Sequence, residues 1–116
     1  MNCAASVDFN ATLKDALLIN FYGTHRVLNL AGKLRNLENF VHVSTAYVNS
    51  DKFGYKFSYN ESYIEEKIYD VNFDVDKFVA DLMNKSHTLT EKQSNDIIGK
   101  FPNSYTFTKS LAERSL

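Results

Sequence analysis

Three observations predict an α/β fold built on a parallel sheet. A long stretch with helical periodicity runs from Leu13 to Leu34. A short, nearly continuous β-prone run, Phe40-Val41-His42-Val43, follows it. Further helical patterns then fill the second half of the chain. A strand that is apolar on both faces and set between helices belongs in a sheet covered on both sides.

The first helix is read from Leu13, Ala16, Leu17, Val27, Leu28, Ala31 and Leu34, which recur with a period of about 3.6 residues. Asn10 is placed as its N-cap and Asn36 at its end. The strand Phe40–Val43 leads into Ser44 and Thr45, and a strand stub precedes Ala4. The segment from Asn49 to Asn72 is polar and aromatic and reads as a long connection. Val75, Phe78, Val79, Leu82 and Met83 share one face of a second helix, with Asp74 as its cap. Thr90 and Gln93 form a capping-box pattern for a third helix, and Gly99 suits its far end. Pro102, the only proline, lies in the next loop, and a last helix starts near Ser104.

Composition sets bounds on function. The 116 residues are 44% hydrophobic and 23% charged, which is ordinary for one globular domain at most. A net charge of -1 gives no pull toward nucleic acid, and no nucleic-acid partner is expected. No apolar run approaches the roughly 20 residues of a spanning helix, so no membrane segment is expected within these residues. Cys3 is the single cysteine and stands in no metal-ligand spacing, so no metal is expected.

The residues that carry chemistry are few. Tyr105 and Lys109 are four apart, which on a helix puts a phenol and an ammonium on one face. A positive charge beside a phenol favours the phenolate. Such a pair is suited to giving a proton to a carbonyl oxygen as hydride reaches the carbon. Ser44 and Thr45 sit where the β-run stops, and ligands of open α/β sheets bind beyond the carboxyl ends of strands. A hydroxyl there can stabilise developing oxyanion charge, or it can simply close a turn. Asn20 interrupts the apolar stripe between Leu17 and Thr24. A buried amide must be hydrogen-bonded. It serves packing, or it holds a backbone carbonyl or water near the lysine.

These features, in this order, resemble the extended short-chain dehydrogenases and reductases, and most closely the fatty acyl-CoA reductases. The similarity rests on Ala4-Ala5-Ser6-Val7-Asp8-Phe9, on Leu18-Ile19-Asn20-Phe21-Tyr22-Gly23-Thr24 and on Val41-His42-Val43-Ser44-Thr45-Ala46-Tyr47-Val48-Asn49. It continues in Ile64-Glu65-Glu66-Lys67-Ile68-Tyr69 and in the segment from Pro102 to Glu113, which contains Tyr105-Thr-Phe-Thr-Lys109. The resemblance implies an NAD(P)-binding Rossmann fold, a doubly wound parallel sheet. Residues 1–116 would be its central part, truncated at both ends and lacking the first βαβ units with their glycine-rich turn.

The resemblance further implies NADPH as cofactor and a long-chain acyl-CoA as substrate, reduced through the aldehyde to a fatty alcohol. Tyr105 would be the proton donor, and Lys109 would assist it and bind the cofactor ribose. Thr45, ahead of Ser44, would bind the thioester carbonyl, and Asn20 would support Lys109. Ala4 and Ala5 would lie against the cofactor. The resemblance also implies peroxisomal or endoplasmic-reticulum membrane association through segments outside this chain. A sugar-nucleotide or steroid-type dehydrogenase of the same superfamily, or an inactive truncated product, are the alternatives. The fragment alone is expected to be inactive.

Overall fold

The computed structural model describes residues 1–52 and 64–116. Part of the predicted long connection, residues 53–63, lies outside them. The described residues are mainly helical. A first helix comprises α1 (Leu13–Ala16), a π-helical turn (Leu17–Tyr22) and α2 (Gly23–Ala31) without interruption. A 3-10 turn, Ser50–Lys52, precedes α3 (Val75–Asn84), α4 (Glu91–Ile98) and α5 (Ser104–Ser115).

The helix ends follow from local chemistry. Thr12, not Asn10, caps α1: its hydroxyl accepts from the Asp15 N–H at 3.2 Å. Asn10 stays outside, its own N–H held by the Asp8 carboxylate at 2.9 Å. The helix stops at Ala31 with Gly32 as C-cap, short of Asn36. Beyond that point Leu34 is exposed, so nothing packs against a further turn. Asp74 caps α3 by accepting from the Lys77 N–H at 2.9 Å. Thr90 and Gln93 close the capping box of α4 from both sides. Gly99 ends that helix with φ +63°, a conformation that favours glycine.

The core is a helix–helix core. Leu13, Leu17 and Phe21 of the first helix meet Val75, Val79 and Leu82 of α3, Ile98 of α4, and Phe107, Leu111 and Ala112 of α5. Leu17 and Val79 are completely buried. Each large apolar side chain so buried contributes about 1.5–3 kcal/mol. This cluster fixes α5 against the first helix and so sets the position of Tyr105 and Lys109.

The sheet differs from expectation. Among the described residues there is no strand. The predicted strand Phe40–Val43 and the stub before Ala4 meet in one parallel bridge, Asn2 with His42. The Asn2 N–H donates to the Val41 carbonyl at 2.7 Å, and the Val43 N–H donates to the Asn2 carbonyl at 2.9 Å. Parallel pairing is weak per residue, and sheets gain stability from three or more strands. Two short extended segments therefore register correctly without making a ladder. Val41 and Val43 remain exposed, on a run whose pattern predicts burial on both faces.

Candidate functional site

Asn20 is built into the π-helical turn. In that turn the Gly23 N–H reaches back to the Leu18 carbonyl, five residues away. The extra residue per turn lets Leu17, Asn20 and Phe21 all face inward, while Leu18 and Ile19 are exposed. Such turns occur often at functional sites. The Thr24 hydroxyl donates to the Asn20 carbonyl at 2.8 Å. Periodicity of the sequence gives no sign of this turn. The exposed Leu18-Ile19 pair inside an apolar run is the only trace of it.

The Asn20 side chain is 1% exposed and fully used. Its Oδ1 accepts from the Ser6 N–H at 2.8 Å. Its Nδ2 donates to the Ser6 carbonyl at 3.3 Å and to the Thr108 hydroxyl at 3.1 Å. Thr108 in turn donates to the Ser104 carbonyl at 2.8 Å. Asn20 therefore fastens the segment after Ala5 to α5, at the residue just before Lys109. It does not bond to Lys109 itself.

Lys109 is 2% exposed. Its Nζ donates to the Val43 carbonyl at 2.7 Å and lies 3.3 Å from His42 Nε2. Val43 directly precedes Ser44 and Thr45, so the lysine ties α5 to the end of the second extended segment. Burial holds the Lys109 amine below its ordinary value, against the opposing charges of Glu113 and Cys3. Burial, and then the Lys109 charge, lower His42 as well, with Glu113 opposing.

The other site residues spread around this anchor. The Tyr105 ring is half-buried and packs edge-on against Phe9, with centroids 5.5 Å apart. Among the described residues its hydroxyl is in no hydrogen bond, and none joins it to Lys109 or Thr45. Thr45 accepts from the Tyr47 N–H at 3.3 Å and so keeps its own hydroxyl hydrogen free. It lines a cleft of about 660 Å³ with Ala46, Val48, Asn49, Ile64 and Glu113 among its walls. Among the described residues the buried Ser44 hydroxyl oxygen has no partner. Ala4 is exposed and Ala5 half-buried, and the Ala4 N–H donates to Asn2 Oδ1 at 3.2 Å. Asn2, which bonds to His42, carries no motif in the sequence, and His42 lies inside the Val41–Asn49 segment without a role of its own there. They become visible only when the two extended segments pair.

This arrangement ties the helix that bears Tyr105 and Lys109 to the backbone just before Ser44 and Thr45. It also joins the ends of two parallel segments to one helix, as nucleotide-binding α/β domains do. The chain belongs to the NAD-binding family described as male sterility protein, whose model matches residues 1–116. That membership assigns it a Rossmann-like fold and a nicotinamide cofactor. Fatty acyl-CoA reductase 1 of Xenopus laevis is 40% identical over 112 residues, covering 97% of this chain and 20% of the relative. The protein of the same name from Homo sapiens is 37% identical over the same share of each chain. A putative fatty acyl-CoA reductase of Drosophila melanogaster is 37% identical over 118 residues, again 97% of this chain and 20% of the relative. The chain thus spans about a fifth of the length of these curated relatives. No solved structure matches it.

The residues present fit such a cofactor. The alanine side chains at the end of the first segment leave its backbone open to close approach. Lys109 has three hydrogens as an ammonium, and Val43 takes one of them. Among the described residues no helix is long and apolar enough to cross a membrane.

Proposed function

We propose that this chain carries the proton-donating side of an NADPH-dependent reductase that converts a long-chain acyl-CoA, through the aldehyde, to a fatty alcohol. The observation that carries the reading is the anchoring of Lys109 on the Val43 carbonyl, one residue before Ser44-Thr45. It links the Tyr105 helix to the hydroxyl pair. Identity to proteins named fatty acyl-CoA reductase over 97% of the chain supports the substrate class.

The bound cofactor supplies hydride to the carbonyl carbon. Everything else is the work of this chain. Thr45 donates its free hydroxyl hydrogen to the carbonyl oxygen, where negative charge develops. Ser44 is available beside it. Tyr105 gives that oxygen a proton when the aldehyde becomes the alcohol. Lys109 steadies the phenol side by charge and offers a donor to a ribose hydroxyl. Asn20 holds the Ser6 segment and α5 in register, so that Ala4 and Ala5 stay at the cofactor. In the first reduction the oxyanion collapses to the aldehyde and expels coenzyme A as its thiolate, which takes a proton from solvent; in the second the same oxygen is protonated, so one site serves both.

We further propose that residues 1–116 are the central part of a doubly wound parallel-sheet domain. The bridge between Asn2 and His42 supports this, since it already has parallel register. The family resemblance also supports a peroxisomal or endoplasmic-reticulum membrane location for the whole protein, which organelle fractionation checks. The function is tested by supplying the full-length protein with NADPH and either a long-chain acyl-CoA or a sugar nucleotide. Consumption of NADPH with acyl-CoA alone is the expected result. Turnover of the sugar nucleotide instead would move the protein to another branch of the superfamily.

A further inference from the structure

The side chains of His42 and Asn2 have no part in the reading above, yet they form a directed hydrogen-bond chain that ends on Lys109. The direction follows from donor and acceptor chemistry. The Ala4 N–H can only donate, and it points at Asn2 from 3.2 Å. The Asn2 atom it meets is therefore the amide oxygen. That leaves the amide nitrogen, which can only donate, against His42 Nδ1 at 3.3 Å. Nδ1 must then carry the lone pair, and the ring proton sits on Nε2. An imidazolium is excluded on the same ground, because Nδ1–H would face N–H. Burial also disfavours the imidazolium.

His42 Nε2 lies 3.3 Å from Lys109 Nζ. An ammonium has three donors and no acceptor, so it cannot receive the Nε2 proton. A neutral amine can, and still donates to the Val43 carbonyl at 2.7 Å. We propose that Asn2 and His42 form a tautomer clamp in which the Nε2–H of His42 selects the amine form of Lys109 in the ligand-free protein. His42 is thus a positioning residue acting through Lys109.

The groups that bear on Lys109 are Glu113 on its own helix, Cys3 on the first segment and His42 on the second. Glu113 and Cys3 favour the cation and oppose the clamp. The inference rests on the reductase reading for its meaning: proton delivery by Tyr105 needs a cation nearby. A ligand hydroxyl that draws Nζ off Nε2 removes the clash and lets the charge form when substrate and cofactor are in place.

The test uses the full-length protein without ligand, labelled with ¹⁵N-histidine and ¹³Cε-lysine. The expected His42 spectrum is neutral with the proton on Nε2, between about pH 6 and pH 8. Asn2→Asp keeps the acceptor for Ala4 but replaces the amide donor with an acceptor, so the ring proton moves to Nδ1. Nε2 then accepts from the ammonium, and the Lys109 titration moves to higher pH. His42→Gln, whose amide can turn an oxygen to Lys109, moves it the same way without adding charge. A parental His42 protonated on Nδ1 would overturn the proposal. So would a Lys109 titration unmoved in both variants. Failure of the parental protein to reduce acyl-CoA would remove the reductase reading while leaving the spectra to decide the clamp.

Discussion

Asn20→Leu is the sharpest probe of how the site is held. Leucine shares the branched outline of asparagine but is larger, so the buried position in the π-helical turn is over-filled, at a cost of about 1–3 kcal/mol. The Ser6 N–H and carbonyl both lose their partner, although the Thr108 hydroxyl still donates to Ser104. Each orphaned, part-buried backbone group costs about 1–3 kcal/mol. Extra apolar burial returns roughly 2 kcal/mol. The over-filling offsets that gain, so the expected net loss is about 4 kcal/mol, measured by denaturant unfolding of the full-length protein. Asn20→Asp should be worse than its similar shape implies, because a carboxylate then faces the Ser6 carbonyl. NADPH affinity should fall in both variants, since the Ser6 segment carries Ala4 and Ala5. An Asn20→Leu protein within about 0.5 kcal/mol of the parent would refute the claim that this amide fastens the first segment to α5.

Other expectations follow from the same geometry. Leu17→Ala empties a fully buried position and should cost about 2–5 kcal/mol by the same unfolding assay. Thr45→Val should lower the rate of acyl-CoA reduction more than Ser44→Ala, because Thr45 lines the open cleft; the reverse order in steady-state kinetics would transfer the oxyanion role to Ser44. Lys109 is held below its usual 10.5, so the unfolded chain binds more protons there and stability rises with pH up to that value. Lys109→Met should flatten this slope in a series of melts at increasing pH. His42 is likewise held below 6.5, so stability falls as pH drops below that point, and His42→Gln should weaken the acid sensitivity.

The helices were legible because each has a local signal. Asp74, Thr90 with Gln93, and Gly99 mark ends by chemistry that needs no tertiary context. Thr12 and Asn10 are both good caps by residue type, and the buried Leu13 that starts the helix selects Thr12. Tyr105 and Lys109 were visible as a spaced pair, and Asn20 as a polar break in an apolar stripe. Their partners were not visible. Lys109 bonds to a backbone carbonyl, and Asn20 to a backbone amide, and sequence says nothing about either. The expected strand appears as a single bridge because apolar character alone does not supply sheet neighbours. Among the described residues Tyr105 and Thr45 are linked only through Lys109 and the Val43 carbonyl.

The central claim is that the Tyr105 hydroxyl serves the carbonyl oxygen in both reductions, by a hydrogen bond to the oxyanion in the first and by proton transfer in the second. Tyr105→Phe removes one hydroxyl and leaves the ring against Phe9. The direct measurement is steady-state reduction by the full-length protein, with acyl-CoA and the corresponding aldehyde assayed separately and NADPH binding titrated alongside. General acid catalysis typically contributes about 10²–10⁴-fold, so turnover should fall by that order while NADPH affinity holds. Lys109→Ala should differ by weakening both. Parental rates for Tyr105→Phe on both substrates would contradict the account and reduce Tyr105 to a residue on the surface of α5.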